Sequence, residues 1–154
     1  MSLTLTTPAF TSQGAIPGKF SRDGDNVSPT LEWRGAPAGT RSYALVVEDP
    51  DAPTGTFRHW AVYNIARDIH RLAEGAGSGG RAGPMRTATD DVGNVRYDGP
   101  QRPRGHGPHH YHFELFAIDV ADLGLPARAR AEDVVAAARR HAMAFAEAIG
   151  TFER

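Results

Sequence analysis

The chain has 154 residues, a formal net charge of −1, 40% hydrophobic residues and 23% charged residues. This length suits one domain with its own core, so we expect a single domain over residues 1–154. The near-neutral charge disfavours a nucleic-acid partner, and the absence of cysteine excludes disulfides, thiolate nucleophiles and Cys-ligated zinc.

The N-terminal residues MSLTLTTPAF show no basic segment followed by an apolar one, as an export signal requires. No run of about 18 apolar residues, the length of a membrane-spanning helix, occurs in the sequence. We therefore expect a cytoplasmic protein without stable membrane insertion.

Alternating runs of β-branched and aromatic residues predict a mainly β protein. The 17 Gly and 11 Pro favour many turns between short elements. A stretch rich in Gly between residues 73 and 96 predicts a long surface loop. The spacing of the strands suits antiparallel sheets, and the strands are expected at residues 3–7, 31–33, 42–48, 58–65 and 110–118.

One helix is expected near the C-terminus. Apolar residues recur there at spacings of three and four, which predicts a single stripe that packs against a sheet. Glu132 and Asp133 would stabilise the first turn, and Gly150 would end the helix in a left-handed cap. The stripe consists of Val134, Ala138, Ala142, Phe145 and Ile149.

Two stretches contain most of the chemically capable side chains. They are DPDAPTGTFRHW at residues 49–60 and GPQRPRGHGPHHYHFELFAID at residues 99–119. Each begins in a Pro- and Gly-rich loop and continues into a predicted strand, an arrangement that places polar groups at the rim of a sheet. Together they predict a small polar pocket.

Strand alternation indicates which side chains share that pocket. His109 and Tyr111 lie in phase with the apolar row of their strand, whereas His110 and His112 point to the opposite face. Asp49 likewise ends an apolar row, where a carboxylate needs a partner.

His59 is the expected partner of Asp49. A carboxylate beside an imidazole favours the charged ring and fixes which nitrogen faces a ligand. The alternative is a structural Asp49 that caps the DPDAP turn, with His59 filling a half-buried strand position.

The first stretch contains DPDAP followed by His-Trp, and the second contains GP followed by GHGPHHYHF. These motifs resemble the hallmark regions of the phosphatidylethanolamine-binding protein family, in its bacterial Raf-kinase-inhibitor-like branch. GDNVSPTLEWRGAP at residues 24–37 also matches. The resemblance implies a sandwich of two antiparallel sheets with Greek-key connections, a C-terminal helix and a small anion-accepting cavity near one rim. It assigns the pocket to Asp49, Asp51, His59, Gly99, Pro100, His109 and Tyr111.

The expected roles follow from side-chain chemistry. His59 and His109 would donate to phosphate-like oxygens, and Tyr111 would supply a hydroxyl and a ring wall. Asp49 could accept from a ligand ammonium, whereas Asp51 would support the loop. Gly107 would let the backbone approach the ligand.

The resemblance also suggests a cis bond between Ala52 and Pro53. The chain departs from the bacterial pattern at Gln101 and Arg102, which stand where Cys and Pro are usual. Arg102 and Arg104 are either phosphate contacts or solvated loop charges, and the sequence leaves both open.

A metal site is not expected, although His106, His109, His110 and His112 lie close in sequence. Alternation divides the last three between two faces, and only Glu114 could complete a ligand set. No cofactor is expected either.

The sequence favours a non-enzymatic binding protein for a small anionic or phosphorylated ligand, and the resemblance implies a regulator of the kinase- or protease-inhibitor kind. A small hydrolase that uses an Asp49/His59 pair is the alternative, but neither stretch offers a Ser nucleophile. A third possibility is a pocket without function in a protein that acts through its surface as a homodimer.

Overall fold

The computed structural model describes residues 2–53, 55–78, 85–101 and 107–153. Within these ranges the chain forms eight strands, one α-helix and a single 3-10 turn at Gly18–Phe20. In chain order the elements are β1 (Thr4–Thr6), β2 (Leu31–Arg34), β3 (Ser42–Asp49), β4 (Phe57–Ala66), β5 (Arg71–Leu72), β6 (Arg86–Thr87), β7 (His109–Ile118), α1 (Ala131–His141) and β8 (Ala142–Phe152).

The strands form two antiparallel sheets, as expected. Sheet A has the order β1-β2-β5, and sheet B has the order β6-β4-β3-β7-β8. In sheet B, β3 lies between β4, which follows it directly in sequence, and β7, which returns after a long connection. This is the Greek-key kind of connection.

The central strand β3 of sheet B is covered on both faces, and every one of its residues is buried. One face packs against sheet A through large side chains such as Leu45, Trp60 and Phe113. The other face packs against α1, where Val46 contacts the cluster that includes Val134. Full burial of each such side chain stabilises the fold by about 1.5–3 kcal/mol.

The predicted C-terminal helix is correct only in its first half. α1 ends at His141, and the residues from Ala142 onward form strand β8, which pairs with β7 along its whole length. Asp133 does stabilise the first turn, because its Oδ2 accepts the Arg130 backbone N–H at 2.9 Å.

The cause of this error lies in residues 142–152, AMAFAEAIGTF. Alanine is a strong helix former, yet every second residue is larger, which is also the pattern of a strand. Pairing with β7 satisfies backbone groups that would otherwise line a sheet edge. Gly150 is therefore no helix cap, and a Cβ there would meet Ile16 and Phe10.

The segment after β5 is less of a surface loop than the sequence predicts. It contains β6, which pairs with β4, and its residues Asp90 and Tyr97 are buried. Gly79, Gly80 and Gly83 lie outside the described residues. The described peptide bonds are all trans, so the suggested cis bond before Pro53 is wrong.

Candidate functional site

Four polar side chains from both stretches gather at one end of sheet B. Asp49 ends β3, His109 and Tyr111 begin β7, and His59 lies near the start of β4. Each is less than a tenth exposed. The antiparallel pairing brings these strand ends together, so the sheet itself assembles the cluster.

Asp49 and His109 form a buried hydrogen-bonded pair. Asp49 Oδ2 lies 2.8 Å from His109 Nδ1. The other oxygen, Oδ1, accepts the Asp51 backbone N–H at 2.8 Å. Asp49 therefore both caps the DPDAP turn and orients an imidazole, and it leaves Nε2 as the His109 ring nitrogen for a ligand.

The predicted hydrogen-bonded pair of Asp49 with His59 is wrong. His59 Nδ1 instead lies 2.8 Å from the backbone oxygen of Asp98, and the Asp98 N–H donates to the His59 carbonyl at 3.0 Å. A ring nitrogen that close to a carbonyl oxygen must carry a proton. Asp49 acts on His59 through its charge alone.

This environment favours the neutral form of His59. Burial is the main cause that lowers its pKa, and the charge of Arg22 lowers it further. The Asp98 carbonyl and the charge of Asp49 oppose these effects in part. With the proton on Nδ1, Nε2 of the neutral ring is an acceptor, which differs from the donor role expected from the sequence.

A β-bulge explains why simple alternation misassigned β4. The sequence places His59 in phase with Ala61 and Tyr63, but these two residues pack towards α1. The register shifts between the pairs at Val47 and Glu48, which adds one residue to β4. His59 is thereby turned towards the inner side, beside Tyr111.

Aromatic rings enclose His59. Its ring centroid lies 5.2 Å from that of Tyr111 with an interplanar angle of 71°, and 4.9 Å from that of Phe57. Phe57 was not predicted as a site residue. It lies opposite Asp49 in the register of β3 and β4, which could have indicated it.

The alternate residues of β7 point outward, as the sequence predicts. His110 is exposed, and both its backbone N–H and its Nδ1 lie within 3.0 Å of Asp51 Oδ2. His112 Nδ1 lies 3.2 Å from Glu147 on β8. Asp51 therefore holds the loop to the outside of β7 and does not join the buried cluster.

Gly99 and Pro100 follow Asp98 in the chain and bond to the segment before β2. The Gly99 N–H donates to Asn26 Oδ1 at 2.7 Å, and a Cβ at this position would overlap the Phe20 carbonyl. The Pro100 carbonyl accepts the Arg22 N–H at 3.0 Å. Both residues thus attach the segment before β2 to the chain that follows Asp98.

Gly107 adopts a left-handed backbone conformation that favours glycine. Its φ is 74°, in the left-handed region, and the nearest atom to a Cβ would be Glu153 Oε2 at 4.0 Å. Arg102, Arg104 and His106 lie outside the described residues.

Sequence reasoning missed two residues that act on His59. Asp98 contributes a backbone carbonyl, which has no signature in a sequence. Arg22 contributes charge, and its buried Nε finds no hydrogen-bond acceptor among the described residues. One arginine among many gives no signal until the fold brings it beside the pocket.

The described residues contain no group of three or more His, Asp or Glu suited to a metal ion. Among the same residues, the helix is too short and polar to cross a membrane.

Fold and site define a β-sandwich protein with a buried Asp–His pair at one rim. The sequence model of the phosphatidylethanolamine-binding protein family matches residues 6–153, so the chain belongs to this family. The crystal structure of Escherichia coli YbcL, described as a member of the mammalian family of this name, superimposes with a TM-score of 0.94. That comparison has 26% sequence identity and covers 100% of this chain and 99% of YbcL.

Two curated sequences are similar over most of their length. A UPF0098 protein of Aquifex aeolicus is 39% identical over 95% of this chain and 85% of its own. LppC of Mycobacterium tuberculosis, whose name marks it as a proposed lipoprotein, is 40% identical over 98% of this chain and 72% of its own.

Proposed function

We propose that this protein is a non-enzymatic binding protein whose buried cluster accepts a small anionic group, such as phosphate or the head of a phosphorylated ligand. The observation that carries the proposal is the His109 ring, oriented by Asp49 at 2.8 Å so that Nε2 is left for a ligand. Membership of a family named for a phospholipid supports the same class of ligand.

The groups around His109 suit an anion that also carries a hydroxyl. Arg22 provides positive charge and a buried Nε without an acceptor among the described residues. Neutral His59 provides an acceptor at Nε2, which matches the P–OH of a hydrogen phosphate. Asp49 uses both carboxylate oxygens within the protein, which disfavours the expected contact with a ligand ammonium.

A titration with phosphate, acetate and phosphoethanolamine, followed through the His resonances by NMR, tests this proposal. Saturable shifts are expected with the two phosphate compounds. His109→Ala should weaken binding by about 10-fold or more, the value of a hydrogen bond to a charged group. The control is His110→Ala, which removes an exposed imidazole from the same strand and should leave the affinity unchanged. Equal losses in both variants would refute the site.

The alternative function, a small hydrolase, would need the predicted Asp49/His59 pair. That pair is not formed, because His59 Nδ1 is bound to the Asp98 carbonyl. The Asp49–His109 pair could still orient a general base, so turnover has to be measured. Incubation of the same samples with phosphate and carboxylate esters should give no product above the His109→Ala background. Catalysis that disappears in that variant would support the hydrolase instead.

Regulation of a kinase or protease and assembly as a homodimer also belong to the proposal, and the family resemblance supports them. A cytoplasmic location belongs to it as the expectation from the sequence alone. A pull-down from the native cell with the wild type and with His109→Ala should recover a protein partner in a pocket-dependent manner. Sedimentation of the purified protein should show a dimer. A sandwich that acts through its surface alone would retain its partner in both proteins.

A further inference from the structure

Behind His59, two buried carboxyl groups are bridged by Asn94, whose backbone N–H donates to Asp90 Oδ1 and whose Nδ2 donates to Asp98 Oδ2, both at 2.9 Å. Asp90 and Asp98 are 1% and 0% exposed, and the segment between them, called here the 90–98 loop, follows β6. Oδ1 of Asp90 accepts the backbone N–H groups of Val92, Gly93 and Asn94 at 2.9–3.0 Å. Oδ2 is buried and has no donor among the described residues. A proton on Oδ2 completes this site, because it can be donated to Asp98.

Asp98 is held in its charged form. Oδ1 accepts from Asn26 Nδ2 at 3.2 Å and from Arg96 Nε at 3.1 Å, and Oδ2 accepts from Asn94 Nδ2 at 2.9 Å. Three donors from two segments thus converge on one buried carboxylate. It is the natural acceptor for the proton of Asp90.

The backbone of Asp98 also positions His59. Its carbonyl lies 2.8 Å from His59 Nδ1, and its N–H donates to the His59 carbonyl at 3.0 Å. Asp98 is therefore tied to Asp90 through its side chain and to the candidate site through its backbone. A displacement of Asp98 caused by Asp90 therefore also moves the carbonyl that positions His59.

Other charged groups around the pair have partners of their own. Arg58 on β4 lies 2.9 Å from Glu48, and the Arg58 backbone N–H donates to Asp91. Arg130, beside the segment that bonds to Thr89, pairs with Glu132 at 3.7 Å. Among the described residues, the charged groups that act on the pair or on His59 are Arg22, Asp49 and Arg96, and Asp91 adjoins Asp90 in sequence.

The two carboxyl groups differ in proton affinity. Burial, together with the hydrogen bond and charge of Asp98, raises the pKa of Asp90 to about 7. Burial opposes ionisation of Asp98 too, but the hydrogen bonds from Asp90, Asn94 and Asn26 outweigh it and lower the pKa of Asp98. One proton is thus held between two acids and is released near neutral pH.

We propose that Asp90 and Asp98 share one proton that holds the 90–98 loop against His59, so that its loss as the pH rises weakens anion binding at the candidate site. This inference rests on the proposed function. When the proton leaves, two carboxylates face each other in a buried space, and their repulsion displaces Asp98. The added negative charge also disfavours an anion nearby.

The test begins with the protein free of ligand. An NMR pH titration should show the Asp98 amide and the His59 ring resonances shifting together with a midpoint near 7. Asp90→Asn keeps the shape of the protonated acid and donates to Asp98 at every pH, so this midpoint should disappear. Asp91→Asn is the matched control, since it removes the neighbouring charge and should retain the midpoint. A wild type without the midpoint overturns the proposal.

The second measurement is the Kd for inorganic phosphate between pH 5.5 and 8.5. The wild type and Asp90→Asn are measured with the same ligand, and the wild-type Kd is divided by the Kd of the variant. The effect of phosphate's own ionisation on binding cancels in this ratio. The ratio should be near one at pH 5.5 and rise to about 3- to 10-fold at pH 8.5, as expected for one like charge near the site. A flat ratio overturns the coupling even if the NMR midpoint is present.

Asp98→Asn provides a further check if Asp90→Asn folds poorly. It removes the Asp98 carboxylate, which adds to the effect of burial on Asp90, but keeps the backbone carbonyl, so the midpoint should move below 7. An unchanged midpoint would overturn the shared proton. If phosphate binds none of the proteins, the proposed function fails and the effect on binding fails with it. The ligand-free titration then still decides whether the pair controls His59.

Discussion

At the scale of single residues, the site combines groups that its own neighbours have already oriented. Asp49 engages His109, and the Asp98 carbonyl engages His59, so neither ring is free to rotate away from its partner. Rings fixed in this way lose little entropy when a ligand binds. Arg22 adds charge to this arrangement without an acceptor for its buried Nε among the described residues.

Arg22→Gln should therefore weaken phosphate binding. The loss of one charged donor near the anion predicts a Kd about 5- to 30-fold higher. The pKa of His59 should also rise in this variant, because the charge of Arg22 lowers it in the wild type. Calorimetry measures the affinity, and an NMR titration of the His59 ring measures the pKa.

The matched control is Arg34→Gln, which removes an exposed guanidinium from β2 in sheet A. It should change neither the affinity nor the titration of His59. If Arg22→Gln leaves the pKa of His59 unchanged, the charge of Arg22 does not act on the site.

At the scale of elements, the sequence predicted strands well where their pattern was unambiguous. β3 and β7 carry β-branched and aromatic residues on both faces, which no helix of this composition would favour. β8 could not be recognised, because its alanines fit a helix stripe and a strand equally well. The strand forms because the edge of β7 needs a hydrogen-bonding partner, which the local sequence of β8 does not reveal. The bulge in β4 likewise depends on pairing and not on local sequence.

The close packing of β8 makes a specific prediction at Gly150. In Gly150→Ala, the new methyl group would meet the buried side chains of Ile16 and Phe10, which have little room to move. Overpacking of this kind should cost about 1–3 kcal/mol of the free energy of unfolding. For a chain of this size, the Tm should fall by roughly 3–10 °C in thermal denaturation.

Gly18→Ala is the control for this experiment. A Cβ at Gly18 meets no atom within 4 Å, so the Tm should stay close to that of the wild type. If Gly150→Ala is as stable as the control, β8 packs loosely enough against Ile16 and Phe10 to accommodate a methyl group at position 150.

At the scale of the whole molecule, the fold separates the candidate site from a second group of acids. The inner face of sheet B leads to Asp49 and His109, and the sequence predicted this rim because both stretches join a loop to a strand. It could not predict which His pairs with Asp49, because that choice depends on the bulge at His59 and on the Asp98 carbonyl. The outer face carries acids that no motif indicated.

These outer acids are Glu48, Glu114 and Glu147, on three neighbouring strands of sheet B. Burial raises the pKa of Glu114 to about 9, and its hydrogen bond and repulsion with Glu48 and the charge of Glu147 add to this. Arg139 on α1 opposes the shift only in part. Glu48 itself forms an ion pair with Arg58 at 2.9 Å, although the Arg58 Nε–H is not aligned for a hydrogen bond.

Glu114 should make the fold less stable as the pH rises. Its pKa is near 4.5 in the unfolded chain and about 9 in the folded protein. Between these values the folded state binds more protons than the unfolded state, so the free energy of unfolding falls with increasing pH and levels off above about pH 9. Below pH 4.5 Glu114 is protonated in both states and has no effect.

Glu114→Gln should remove this dependence, because the amide donates to Glu48 at every pH. Relative to the wild type, the variant should gain stability progressively from pH 5 upward. The gain should be of the order of 1 kcal/mol at pH 8, well below full conversion of the shift, because Glu114 is only half-buried and solvent screens it. Urea unfolding at pH 5, 6, 7, 8 and 9 measures the difference. The control is Glu132→Gln, on the exposed face of α1, which should show no such trend. If the difference in stability between Glu114→Gln and the wild type is the same at every pH, Glu114 is not protonated in the folded protein.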